Sequence, residues 1–217
     1  MKILLISVRS DKTKGGISTW TERYFEESKS FGFTVDLVNT EVTGKRLSDS
    51  TAKRSFFDEI GRTKRIFQDL DHFLNDKSKS YDAVHLNTSC GNFGLFRDYI
   101  MARRIKKKKL KLITHFHCDI PYWIHNSLNR KYVGKLAKLS DVNLVLCENS
   151  RKYLEENFGI SSIKFPNFIN ETLILQNDKK ISSDISKVFL SVESAKQKVL
   201  KNYMRSLINF RILHLNL

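Results

Sequence analysis

Short apolar runs alternate with helix-period segments along most of this chain, one pair about every 30 residues. The runs are Ile3–Val8, Phe33–Val38, Tyr81–Asn87, Leu110–His115, Val142–Leu146 and Ile163–Phe165. Each has the length of a strand and is too apolar for a loop. Between them the apolar positions recur three and four residues apart. That spacing predicts helices from Ile17 up to Gly32, over Ser55–Leu74 as one helix or a pair, and over Phe93–Lys106, Tyr122–Leu139 and Ser150–Phe158. Thr40–Arg54 and Thr88–Asn92 read as loops. Strict alternation of this kind implies an α/β fold, a doubly wound parallel sheet of Rossmann-like type with helices on both faces.

In such a sheet ligands bind beyond the carboxyl ends of the strands, where the strand order reverses. The segments to inspect are therefore Arg9–Gly16, Asn87–Asn92, His115–Asp119 and Cys147–Ser150. The first joins a buried strand to a helix through Gly15-Gly16. Glycines let backbone N–H groups approach a ligand with no Cβ in the way, and the helix N-terminus behind them favours an anion. The loop is neither a P-loop, since Ile17 stands where Lys is needed, nor a G-x-G-x-x-G turn. A plain βα turn fits the same residues.

His115-Phe116-His117-Cys118-Asp119 is the densest chemistry in the chain. On an extended segment His115 and His117 share one face. Three readings compete: a metal pair lacking its third ligand, a catalytic or phosphate-contacting histidine in a cleft, and a structural histidine satisfied by backbone. The run Arg103–Lys111 carries much of the formal net charge of +15. It reads as a solvated helix end whose cations complement the macrodipole, or as a patch for an anionic membrane surface. No aromatic platform or nucleic-acid module accompanies it, so no nucleic-acid partner is expected.

Cys90, Cys118 and Cys147 are odd in number, far apart and form no C-x-x-C pair. They read as separate small buried side chains in a reducing, cytoplasmic setting, with neither a disulfide framework nor a metal site. No apolar stretch approaches the ~20 residues that span a bilayer, and the first run is too short for a signal peptide.

Several segments together resemble a known family. They are Met1–Ile6 with Gly15-Gly16-Ile17, Tyr81–His85, Thr114–His117, Ser140-Asp141-Val142, Glu148-Asn149-Ser150 and, above all, Phe165–Asn170. Their order and spacing over residues 1–172 resemble the N-terminal half of a retaining GT-B glycosyltransferase of family 4. The resemblance implies a Rossmann-like acceptor-side domain, one half of a GT-B architecture, followed by a crossover at the Pro-Asn segment. It implies that Gly15 and Gly16 face the diphosphate of a nucleotide-sugar, which acts as co-substrate with no cofactor and no metal. His117 matches the strand-end histidine near the reacting sugar, the expected catalytic position. Asn87, Thr88, His115, Asp119 and Glu148 become acceptor-side candidates. The family's usual Gly after that histidine is Cys118 here. The implied reaction is front-face sugar transfer to a glycan or lipid-linked acceptor in cell-surface polysaccharide synthesis, at the inner face of the membrane. A stand-alone acceptor- or phospholigand-binding module is the alternative.

The family's second domain would add a diphosphate clamp and a paired-glutamate motif. Residues 173–217 hold neither, and 45 residues are too few for such a domain. Permitted codons for Val188–Met204, read two bases later, can encode a strand, a basic clamp and a Lys-Gly helix start. The expectation is an out-of-frame tail, a truncated glycosyltransferase and an isolated chain without transfer activity. A short helix over Ser194–Leu207 is the other reading.

Overall fold

Strands buried on both faces need apolar side chains in both directions, and the first run supplies them: Ile3, Leu4, Leu5 and Ile6 are all fully buried. In a computed structural model of the chain, which describes residues 1–10, 15–42 and 55–167, this run is β1 (Lys2–Ser7). The rest follow as α1 (Gly16–Ser30), β2 (Thr34–Asn39), α2 (Phe56–Asn75), β3 (Ala83–Thr88), α3 (Asn92–Lys107) and β4 (Leu112–Phe116). After them come α4 (Ile120–Trp123), α5 (Ser127–Leu139), β5 (Val142–Val145), α6 (Glu148–Phe158) and β6 (Ile163–Lys164). The six strands form one sheet, ordered β2-β1-β3-β4-β5-β6, with every pair parallel. The expected α/β, Rossmann-like sheet is therefore present. The chain moves outward from β1 to β2 and returns to the other side of β1 as β3. The strand order thus reverses between β1 and β3.

Pleat parity sorts the core. Leu4, Ile6, Val84, Leu86, Leu112 and Phe116 pack with Ile66, Leu95, Met101 and Val133 from the helices of one face. Ile3, Leu5, His85, Ile113, His115 and Leu144 point to the other face. There Trp20 and Tyr24 of α1 pack against the histidine rings.

Helix ends follow their local chemistry. Gly32, at φ +70°, ends α1: Gly32 N–H donates to Lys29 and Phe33 N–H to Ser28, the paired bonds of a Schellman motif. Ser55 caps α2 through a bond from Asp58 N–H. The continuous helix expected over Tyr122–Leu139 is instead two helices, α4 and α5. Asn126 takes an extended conformation, and its side chain accepts from Asn129 N–H at 2.7 Å, starting α5 afresh. The periodic Ile124 and Leu128 conceal that cap in the sequence. Lys109 adopts φ 58°, and Leu112 N–H is taken by the Asp141 carboxylate, so β4 begins two residues later than expected.

The separation of the cysteines is also corrected. Cys90 and Cys118 form a disulfide, and Cys147 is a free thiol. The two partners lie 28 residues apart in sequence but follow β3 and β4, which are neighbours in the sheet. Unpaired cysteines therefore no longer support a reducing setting.

The chain divides into two compact units, Met1–Pro166 and Asn167–Leu217. The expected boundary at 172 and both readings of the tail lie outside the described residues, as does most of the 40–54 loop. No helix among the described residues is long and apolar enough to cross a membrane.

Candidate functional site at the strand switch

The reversal between β1 and β3 places Ser7 and Asn87 side by side at the carboxyl ends of these strands. Asn87 Nδ2 donates to Ser7 Oγ at 2.8 Å, and Ser7 Oγ lies 2.6 Å from Thr21 Oγ1 of α1. Thr21 Oγ1 donates in turn to the Ile17 carbonyl. One chain of hydrogen bonds thus ties the first turn of α1, with Gly15 and Gly16 at its start, to the end of β3. Asn87 is buried, yet its Oδ1 has no partner among the described residues. A buried amide oxygen left in this state retains one acceptor site for a ligand donor.

The next strand adds the histidines. In the register of β3 and β4, Asn87 lies opposite His115 and Thr88 opposite Phe116. His117 N–H donates to the Thr88 carbonyl at 2.8 Å, which holds the segment just past β4 against the end of β3. The rings of His115 and His117 are 3.9 Å apart, so they share one face as expected. His115 is completely buried beneath Trp20 and beside Phe165, whereas His117 is half-buried at the rim. Of the two rings His117 is the more exposed, and His115 lies behind it.

The sequence reading missed His85. It lies one strand over, with its ring 5.9 Å from His115 and 5.3 Å from both Trp20 and Tyr24. The available signal was pleat parity: residues 85 and 87 of β3 share a face, as do 115 and 117. Burial, and secondarily the charge of His117, pushes His85 down to about 3. Burial acts likewise on His115, reinforced by His117 and His85 and opposed by the Phe165 backbone, and drives it well below 6.5. Both imidazoles are therefore neutral at pH 7. Burial also pushes the Tyr24 phenol upward. Among the described residues no group of three or more His, Cys, Asp or Glu side chains is arranged to hold a metal ion.

Asp119 joins a second polar group, at the end of β5. Its Oδ1 accepts from Cys147 Sγ at 3.5 Å and from Ser150 Oγ at 3.4 Å. Ser150 Oγ also accepts from Ile120 N–H. Ser150 and Cys147 are thus additional site neighbours. Glu148 behaves differently: it starts α6 and is bound to Arg151 at 2.7 Å, which holds its carboxyl below the ordinary range through that hydrogen bond. It is not drawn into the cluster.

Gly15 and Gly16 are both exposed at the start of α1. Gly15 has φ −127°, and a Cβ there would meet no atom of the described residues within 4 Å. An open cleft of about 510 Å³, lined by Asp141, Asn143, Phe158 and Ser162 among others, lies at the opposite, amino end of the sheet.

No family model and no curated protein matches the chain. Among solved structures, phosphomethylpyrimidine kinase (ThiD) from Clostridium difficile 630 is similar at 14% identity and TM-score 0.48, over 74% of this chain and 64% of that one. TcCGT1 in complex with UDP is similar at 12% identity and TM-score 0.49, over 82% and 55%. Anabaena Alr3699/HepE in complex with UDP and glucose is similar at 14% identity and TM-score 0.46, over 88% and 50%. The chain spans half to just under two thirds of the length of these proteins. At such identities the likeness concerns only the arrangement of sheet and helices.

Proposed function

We propose that residues 1–166 form the acceptor-side half of a retaining GT-B glycosyltransferase that uses a nucleotide-sugar donor. The observation that carries this reading is the meeting, at one strand switch, of separate segments with the family's motifs. The Gly15-Gly16 helix start, the Asn87-Thr88 strand end and His117 converge there. The donor diphosphate lies against the α1 N-terminus, where backbone N–H groups and the helix dipole favour an anion. His117 contacts the reacting sugar and is the catalytic residue. Its partners His115 and His85, held neutral by burial, position its ring without adding charge beneath it. Asn87 Oδ1 and Asp119 receive acceptor hydroxyls. Catalytic help comes from positioning and from stabilising the leaving diphosphate. The acceptor is a glycan or a lipid-linked sugar of cell-surface polysaccharide synthesis. The basic run Arg103–Lys111 holds the protein at the inner face of an anionic membrane.

The second reading is an acceptor- or phospholigand-binding module without transfer, favoured by the open acceptor capacity of the buried Asn87 Oδ1. Incubation of the purified 217-residue chain with radiolabelled UDP-sugars and polyprenyl-linked glycans tests both. No transfer is expected from this chain alone, with glycan binding that His117→Ala abolishes. Measurable transfer contradicts the inactivity of the isolated chain. Absence of any His117-dependent glycan binding contradicts both readings.

A further inference from the structure

Helices α3 and α5 follow adjacent parallel strands, so they run side by side in the same direction. Phe96 and Tyr132 meet across them with ring centroids 5.3 Å apart, and Tyr99 and Tyr132 at 5.6 Å. Their shared outer face has two unlike ends. At the start of the helices it is apolar: Phe93, Phe96 and Leu128 are exposed, and Tyr122 and Trp123 of α4, in the segment that leads into α5, are exposed at 67% and 57%. Residues 121–129 contain no Asp, Glu, Lys or Arg. Beyond that start the face is cationic, with Lys131 and Lys135 exposed along α5 and Arg103 and Lys107 exposed in the last turns of α3.

Acidic side chains are missing from the exposed positions of α3 and α5. Asp98, the one acidic residue of α3, is buried against Arg97 at 2.8 Å, and α5 has no acidic residue. Where acids do meet the basic run they come from elsewhere: Asp71 of α2 holds Arg104, and Asp141 holds Lys106. Exposed aromatic and aliphatic side chains beside an acid-free cationic surface match an anionic bilayer. Trp and Tyr settle at the headgroup boundary, and Lys and Arg meet lipid phosphates. A nucleic acid fits less well, because bases stack on open ring faces. Here the rings meet edge to face, Tyr122 on Trp123 at 83° and Phe96 on Tyr132 at 69°, and Arg103 and Lys135 sit over the Tyr99 ring.

We propose that the α3–α5 face lies flat on an anionic lipid bilayer, with Tyr122, Trp123 and Leu128 entering the headgroup–acyl boundary and the helix ends binding lipid phosphates. This rests on the membrane contact proposed above for Arg103–Lys111 and extends it to an inserted apolar tip. The tip also lies at the carboxyl end of the sheet, as the strand-switch site does, so docking brings that site to the bilayer surface.

The chain has two tryptophans: Trp20 is buried and Trp123 exposed, which makes Trp123 a reporter of the tip. Full-length protein is mixed with vesicles of phosphatidylcholine alone or with 30% phosphatidylglycerol, and both sedimentation and tryptophan emission are read. The expected result is binding only to the anionic vesicles, weakened by salt, with a blue shift that Trp123→Phe removes. Trp123→Ser with Leu128→Ser weakens partitioning about tenfold. Lys131→Gln with Lys135→Gln weakens it about twentyfold. Both variants alter exposed positions, and a far-UV CD spectrum like that of the parent shows that they fold. Binding that both variants leave unchanged, no binding to anionic vesicles, a Trp123 shift that tracks self-association, or loss of oligonucleotide binding alone each overturns the proposal. Loss through the lysine variant with no effect of the tip variant keeps the electrostatic contact and overturns the inserted tip. His117→Ala leaves vesicle binding unchanged, so failure of the sugar-transfer reading is read separately.

Discussion

The two ends of the sheet solve the same problem in opposite ways. At the amino end, polar groups are paired ionically: Lys2 with Asp36, Lys106 with Asp141, Arg104 with Asp71. Asp36 also accepts from Tyr81 at 2.6 Å, and Asp141 from Leu112 N–H at 2.7 Å. Their hydrogen-bonding capacity is spent on strand and helix ends, and their side chains remain partly in water. At the carboxyl end the buried polar groups of the strand switch are uncharged, Ser7, Thr21, Asn87, His85 and His115, and the carboxylate of Asp119 is only partly buried. Neutral groups can be buried at moderate cost when bonded, whereas a buried ion needs an opposite charge beside it, as Arg97 and Asp98 supply to each other within α3. The comparison teaches that the ionic end is built for stability, and that the neutral end keeps acceptor capacity in reserve, as at Asn87 Oδ1.

The sharpest way to break this comparison is to remove the lid over the neutral end. Trp20 is 1% exposed and touches all three histidine rings, so Trp20→Ala is expected to cost about 3–5 kcal/mol in urea unfolding. A cost under about 1 kcal/mol means that α1 does not seal the cluster.

Acid is the second probe. The unfolded chain takes up a proton on His85 near pH 6.5, while the folded protein resists until about 3. Above 6.5 the residue is neutral in both states. Below it, stability falls with falling pH, by up to about 1.4 kcal/mol per unit for each such histidine. Denaturant midpoints at pH 7 and 5 check this, and His85→Phe flattens the dependence. At the ionic end the expected effects are smaller. Asp141→Asn weakens the Lys106 pair and the Leu112 cap by about 1 kcal/mol, and salt reduces the difference. The smallest effect is Gly15→Ala, where a Cβ meets nothing: stability changes by less than about 0.5 kcal/mol, while nucleotide-sugar binding weakens. Loss of stability without loss of binding reverses the assignment of Gly15.

Much of the fold was legible in the sequence, because periodicity switches cleanly between strand and helix and parallel strands carry apolar runs. The strand-end positions followed from topology alone, and Asn87, Thr88, His117 and Asp119 lie at the carboxyl ends of β3 and β4 as expected. His85 was missed because its meaning depends on which face of β3 meets α1, which local pattern does not state. The Cys90–Cys118 pair was missed because it is close across strands and distant along the chain. The break before Ser127 was hidden by apolar spacing that continued through Asn126. Glu148 was drawn in by its motif, yet its side chain turns to Arg151 one helical turn away.

Under the proposed function, ligands meet the neutral, carboxyl end of the sheet at His117. Histidine ring resonances of the ¹⁵N-labelled chain, titrated with UDP-sugars and a polyprenyl-linked glycan, test it most directly. The His117 signals are expected to shift, His115 and His85 to follow weakly while staying neutral, and His72 and His125 not to move. An unmoved His117 beside shifts at His72, or at backbone amides around Asp141 and Ser162, contradicts it.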